Sequence, residues 1–344
     1  MRMDYRSDTV TKPSSGMLEA MRSAPLGDDV FGEDPSIIAL EERLAERFGK
    51  EAGLFCPSGT MTNQIAIKCH TIPGHEVICD ADSHIYQYEG GGIASNAGCS
   101  VRLLAGDRGR IRATQVAAAV NDPADPHKAL SRLVSLENTA NRGGGSIYDL
   151  GEVARIREVC DAHGLALHLD GARLFNAIVA GGGSPLDHGT LFDTVSICLS
   201  KGLGAPVGSV LLGTRAFIRK ARRARKVFGG GMRQAGMLAA AGSYALDHHV
   251  ERLSEDHRHA REIASALEKK AFIRRILPVE TNIVIAETEP PCTPRAFVAA
   301  MAARDILLFA VSAERIRMVT HLDITPEMVQ RTISVIADME TPVG

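Results

Sequence analysis

Lys201 and Asp170 are the residues whose settings point most directly to chemistry. Asp170 closes the run Leu165-Ala-Leu-His-Leu-Asp170, ahead of Gly-Ala-Arg173. Lys201 follows Val195-Ser-Ile-Cys-Leu-Ser200, ahead of Gly-Leu-Gly204. Each is a charged residue where a short apolar strand should stop. In open α/β sheets, ligands bind in the crevice outside the carboxyl ends of the strands. An amine and an acid facing one crevice are what pyridoxal 5′-phosphate (PLP) requires: a lysine for the Schiff base, and a carboxylate to keep the pyridine nitrogen protonated. Each residue also has a plainer reading, the lysine as a solvated strand end and the aspartate as a helix cap.

A second feature lies upstream. Ala52-Gly-Leu-Phe-Cys56 reads as a strand, Pro57-Ser-Gly-Thr60 as a sharp turn, and Met61 to Cys69 as a helix. Free backbone N–H groups and the positive dipole end of such a helix favour a phosphate; alone, Ser58 or Thr60 is equally a simple N-cap. His84 follows the strand Glu76-Val-Ile-Cys-Asp80, where an imidazole can stack on a pyridine ring or move a proton near neutral pH. His127 sits in the polar loop Asn121–Lys128.

Composition sets the outer limits. The 344 residues are 45% hydrophobic and 23% charged, with a formal net charge of −2. That suits two domains and excludes a strong field toward nucleic acid or membrane. The seven cysteines are odd in number, form no C-x-x-C pair and fall mostly in apolar runs, as reduced buried thiols do. No apolar run approaches the ~18 residues of a membrane span and no apolar signal region follows Met1, so a cytoplasmic protein is expected.

The elements that must position these residues alternate β and α up to Leu212, which predicts an α/β fold with a mostly parallel sheet covered by helices on both faces. Arg215 to Lys226 carries seven basic residues in twelve. Aromatic residues are only 4% of the chain and tryptophan is absent, so base stacking is poorly served and an interface or solvated helix is expected instead. The Gly229-Gly-Gly hinge leads into a long Ala/Met/Leu helix toward Leu253. The expected organisation is an N-terminal arm with a large α/β domain over residues 1–245 and a small α+β domain over 246–344.

The chain resembles the low-specificity L-threonine aldolases and L-allo-threonine aldolases, PLP enzymes of the aspartate-aminotransferase fold (fold type I). The matching stretches are Arg6-Ser-Asp-Thr-Val-Thr11, Gly27-Asp-Asp-Val-Phe-Gly-Glu-Asp-Pro35, Pro57-Ser-Gly-Thr60, Leu136-Glu-Asn-Thr139, His168-Leu-Asp-Gly-Ala-Arg173, Leu199-Ser-Lys-Gly-Leu-Gly204, Gly229-Gly-Gly-Met-Arg-Gln234 and Val319-Thr-His-Leu-Asp323. All occur in order, nearly end to end. The resemblance implies that Lys201 carries PLP, Asp170 binds its ring nitrogen, and Gly59 and Thr60 hold its phosphate. Lys226 and Arg233 would reach the phosphate from a partner subunit, His84 would stack on the ring, and Ser7, Arg173 and Arg317 would hold the amino-acid carboxylate. It places His127 near the substrate's β-hydroxyl, and it implies a homo-oligomer, a tetramer or at least a dimer.

Two positions depart from the family pattern. Ala140 stands where relatives usually carry histidine, and Phe31 where many carry tyrosine. The implied reaction is reversible retro-aldol cleavage of a β-hydroxy-α-amino acid to glycine and an aldehyde, with His84 and His127 as acid–base candidates. The alternatives are β-elimination or transamination on the same scaffold, or a PLP-carrying regulatory protein, since fold alone does not decide chemistry.

Overall fold

A computed structural model describes residues 2–342. In chain order its strands are β1 (Met3–Asp4), β2 (Ala52–Cys56), β3 (His75–Asp80), β4 (Ser100–Leu104), β5 (Leu130–Glu137), β6 (Ala166–Gly171), β7 (Thr194–Cys198), β8 (Ser209–Gly213), β9 (Ile273–Ile276), β10 (Ile283–Thr288), β11 (Ile306–Leu307), β12 (Phe309–Ala310) and β13 (Arg315–Val319).

Seven of them form one sheet in the order β2-β8-β7-β6-β5-β3-β4. Only β8 runs against its neighbours; the pairs β7–β6, β6–β5, β5–β3 and β3–β4 are all parallel. β7 and β8 are buried at every position and β6 at all but its first, as expected of strands covered by helices on both faces. The flanking helices begin where the sequence supplies caps. Asp34 accepts from the Ser36 and Ile37 amides ahead of Pro35–Arg47, and that helix buries Ile37, Leu40 and Leu44 against the sheet core.

A second core gathers β9, β10, β12 and β13, an antiparallel sheet in the order β12-β13-β10-β9, with helices Leu253–Leu267, Pro294–Ala302 and Pro326–Asp338. The boundary expected at residue 245 falls inside helix Gly236–His248, whose Ala239, Ala241, Ala245 and Leu246 belong to the first core. The chain passes to the second core only beyond Leu253. The expected single helix toward Leu253 is broken at His249–Arg252.

The N-terminal arm also differs from expectation. β1 pairs in parallel with β11, and Met3 and Tyr5 are fully buried in the second core. The Val319 amide donates to the Tyr5 carbonyl at 2.8 Å. The arm therefore belongs to the smaller unit, and residues 6–11 cross from it toward the carboxyl edge of the large sheet. Among the described residues no helix is long and apolar enough to cross a membrane. All seven cysteines are free and buried.

Candidate active site

The carboxyl edge of the parallel strands gathers the polar groups. Glu137 ends β5, Asp170 lies at the end of β6, and the two are paired in register. Lys201 lies three residues past the end of β7 and is half-buried, and its backbone carbonyl accepts from Thr11 Oγ1 of the arm at 3.1 Å. Asp170 is 3% exposed. Its Oδ1 accepts from the Ala172 amide at 3.1 Å and its Oδ2 from Asn63 Nδ2 at 2.9 Å, so the carboxylate plane is fixed.

His84 opens a single helical turn after β3, with its backbone N–H donating to Glu137 Oε2 at 2.7 Å. The ring Nδ1 lies 3.0 Å from Glu89 Oε1. Burial draws the imidazole pKa down, but the Glu89 hydrogen bond and the Asp170 and Glu89 charges outweigh it and hold it above the ordinary 6.5. Glu137 is pushed up to about 6 by burial and then by the Asp170 charge, against the donated Asn141 and His84 amides. His84, Glu89 and Asp170 bring ligand atoms within 4.8 Å of one another.

At the start of helix Gly59–His70, the Gly59 and Thr60 amides have no carbonyl to bond within the helix. Ser58 accepts from the Met61 amide as the N-cap. Ser209 Oγ is buried without a hydrogen-bond partner, 3.5 Å from where a side chain on Gly59 would begin. A buried hydroxyl without a partner, beside free amides at a positive dipole end, is a fitting cradle for a phosphate. With Asp170 and Lys201 at the same edge, these residues fit PLP.

The arginines define the other wall. Arg173 was expected to offer its fork to a substrate carboxylate, but the fork is taken. Its Nε and Nη2 donate to the two Asp8 oxygens at 2.7 Å each, with both side chains buried. The physical reason is that a buried guanidinium needs a counter-charge, and the arm supplies it. Only Nη1 remains without a protein partner among the described residues. Arg317, on β13, donates from Nη1 to Asn141 Oδ1 at 2.8 Å and from Nη2 to the Arg6 carbonyl at 3.0 Å, leaving its buried Nε unbonded. Burial and then Arg173 draw its pKa down to about 10, so it stays charged at neutral pH. Ser7 caps the 3₁₀ turn Asp8–Val10 beside this pair.

Three other expected residues stand elsewhere. His127 has an 88% exposed side chain bonded to Asp125, on the loop that enters β5. Eight residues of strand separate that entry from Glu137, about 23 Å. His127 is therefore at the wrong edge of the sheet to touch substrate in its own chain. Lys226 and Arg233 are solvent-exposed; Arg233 bonds Asp28 Oδ2 at 2.9 Å and lies over the Phe31 ring, and neither bonds Gly59 or Thr60. The basic helix Arg215–Val227 is partly internal. Arg225 pairs with buried Asp29 at 2.7 Å and Arg222 with Glu41.

A model of the beta-eliminating lyase family matches residues 4–290. Low-specificity L-threonine aldolase 1 of Arabidopsis thaliana is 41% identical over 338 residues, 96% of this chain and 94% of that protein. The low specificity L-threonine aldolase of Escherichia coli is 42% identical over 326 residues, 94% and 95%. The chain belongs to the low-specificity L-threonine aldolase family. Its members are PLP-dependent carbon–carbon lyases that cleave threonine. A threonine aldolase from Leishmania major shares the fold with a TM-score of 0.85 at 22% identity, covering 97% of this chain and 98% of that one.

Against the family pattern, Ala140 is buried, bridged to Ser146 and packed against Gly109, while Phe31 is 72% exposed. The aldolase site also contains residues that sequence reasoning passed over. Glu137 could have been found, because an acid closes its strand as Asp170 closes the next. Asp8 and Glu89 carried no such signal; Asp8 meets Arg173 165 residues on, and Glu89 is held by Asn63 and Gln64, 26 and 25 residues before it.

Proposed function

We propose that the protein cleaves L-threonine, L-allo-threonine and related β-hydroxy-α-amino acids reversibly to glycine and an aldehyde. The observation that carries this is the convergence of Lys201 and Asp170 with a phosphate cradle at one sheet edge, with buried Arg173 and half-buried Arg317 beside them. Lys201 would hold PLP covalently, Asp170 would pair with its ring nitrogen, and Gly59, Thr60 and Ser209 would hold its phosphate. Bound there, the cofactor supplies an electron sink for the substrate Cα–Cβ bond.

The chain's own residues do the rest. The free Nε of Arg317, the remaining Nη1 of Arg173 and Ser7 grip the substrate carboxylate, and so set which Cα substituent stands across the ring. A guanidinium held rigid by its own protein partners presents these N–H groups in a set direction, where a lysine would only attract the carboxylate. His84 has its Nδ1 on Glu89 and its Nε2 free of protein partners among the described residues, so it takes the β-hydroxyl proton. A base with a pKa lifted toward the working pH is suited to that transfer, worth ~10²–10⁴ in rate. Glu89 and Glu137 hold His84 by its ring and its backbone.

His127, remote from the site of its own chain, would act only in a neighbour's. A homo-oligomer, a tetramer or at least a dimer, would also bring exposed Lys226 and Arg233 to a second copy's phosphate cradle. Support comes from the exposed Phe31 and Val227 beside these cations. Seven reduced, buried cysteines fit a cytoplasmic setting.

The test is direct. The purified protein with PLP should release acetaldehyde and equimolar glycine from both threonine epimers, and Lys201→Ala should not. Keto-acid and ammonia without aldehyde would replace this reading with β-elimination.

A further inference from the structure

Behind Asp170 a line of polar side chains runs through the packed layer between helix Gly59–His70 and strands β6 and β7. Asn63 Nδ2 donates both to Asp170 Oδ2 and to Glu89 Oε1, at 2.9 Å each. Asn63 Oδ1 lies 3.1 Å from His168 Nε2. His168 Nδ1 lies 2.9 Å from Thr194 Oγ1, which is 2.9 Å from His70 Nε2. Asn63, His168 and Thr194 are at most 1% exposed. His70 ends the helix, half-buried and stacked on Phe217 at 4.5 Å.

The direction of every bond in this line follows from its inner end. Ionised carboxylates only accept, so the Asn63 amide must turn both N–H bonds toward Asp170 and Glu89. Its oxygen then faces His168 and needs a donor, which places a proton on His168 Nε2. Burial and the neighbouring His70 draw the His168 pKa down to about 3, with only the Thr194 backbone opposing, so the ring carries a single proton. His168 Nδ1 is thus an acceptor, and the Thr194 hydroxyl must donate to it. Thr194 Oγ in turn accepts from His70 Nε2–H, and burial keeps His70 neutral, with a pKa of about 4.

We propose that His70, Thr194, His168 and Asn63 form a one-way hydrogen-bond relay that fixes the Asn63 amide between the two carboxylates serving the cofactor and His84. Asn63, His168 and Thr194 are then positioning residues for Asp170 and Glu89. Each link blocks one specific error. A flipped amide would set its oxygen against a carboxylate, and His168 Nε2–H prevents the flip. The other tautomer of His168 would leave Asn63 Oδ1 unpaired, and the Thr194 hydroxyl prevents that. Aligned dipoles in a chain of this kind also strengthen one another, and all of them point their positive ends toward the acids. The relevance to catalysis rests on the aldolase function proposed above; the direction of the relay does not.

The test begins on the unmutated holoenzyme with ¹⁵N-labelled histidine. Long-range nitrogen–proton spectra at neutral pH should show His168 and His70 both protonated on Nε2 alone. Thr194→Val keeps the shape and removes the hydroxyl; it should let His168 shift toward the Nδ1–H tautomer and weaken PLP affinity roughly three- to tenfold, the worth of one neutral hydrogen bond. Thr194→Ser should restore both readings. An Nδ1 proton or an imidazolium at His168 in the unmutated protein overturns the relay even if aldehyde is released normally. So does Thr194→Val with unchanged tautomer and PLP affinity, or Thr194→Ser behaving like Thr194→Val. Absent aldehyde with the Nε2 tautomers intact would instead fault the proposed function and leave the relay standing.

Discussion

Replacing Asp8 by asparagine isolates the charge in the buried pair with Arg173. The side chain keeps its shape and one acceptor oxygen, but the guanidinium, bonded to Asp8 at two points of 2.7 Å, loses its counter-charge in a site with no exposed surface on the acid. Breaking such a pair from one side costs about 3–5 kcal/mol, and the retained acceptor places Asp8→Asn near the lower figure. At roughly 2–4 °C per kcal/mol for a domain of this size, the melting temperature at pH 7 should fall by about 6–12 °C. The same pair fixes a pH signature. Burial pushes the Asp8 carboxyl up, but Arg173 overrides it and holds it at about 2 against an ordinary 3.8. A carboxyl held lower in the folded state stabilises fully above about pH 4, and that stabilisation is lost as pH falls through 2. At ~1.4 kcal/mol per pH unit, about 2 kcal/mol is at stake. Thermal unfolding of both proteins from pH 7 to pH 2 should therefore show a gap that is constant at neutral pH and narrows by about that amount below pH 4. Equal stability at pH 7, or a gap independent of pH, would mean that Asp8 and Arg173 are not paired as described.

Glu89→Gln removes the charge that most directly raises His84, so the acid limb of kcat/KM should move to lower pH; an unmoved limb would detach it from His84. Arg317→Lys leaves a charge but not the Nε–H fixed in direction, and the KM for L-threonine should rise on the order of 10- to 100-fold, the worth of a charge-assisted bond. Gly171→Ala would place a Cβ 2.3 Å from the Ser196 carbonyl oxygen, next to Asp170. Thermal denaturation should report a loss of about 1–3 kcal/mol, and dialysis should strip PLP faster than from the unmutated protein.

What could be read from the sequence were features with local causes. Short apolar runs stopped by a charge gave β6 with Asp170 and β7 with Lys201, and the apolar run ahead of the Pro57-Ser-Gly turn gave β2. Helix Gly59–His70 was visible, but not that Thr62, Asn63 and Gln64 face inward. A buried polar face contradicts the usual apolar stripe, and its partners lie on strands more than a hundred residues on. Nothing local in the sequence ties the arm to the smaller unit, because β1 is two residues long and its partner is β11, three hundred residues away. Family pattern alone points His127 to the site, whereas its own neighbours, Asp122 and Asp125 in a polar turn, describe a solvated loop.

The pairing of β1 with β11 bears on the order in which the molecule is completed during synthesis. Met3 and Tyr5 leave the ribosome some three hundred residues before the edges they bond, at residues 305–307 and 319. Closing a loop of that length costs about 5 kcal/mol, repaid only once β11 and β13 exist to receive the arm. Without the arm in place Arg173 lacks the Asp8 carboxylate and Lys201 lacks the Thr11 contact. A segment made early therefore waits for strands made late, and the wall of the pocket that Asp8 and Thr11 supply depends on strands of the smaller unit.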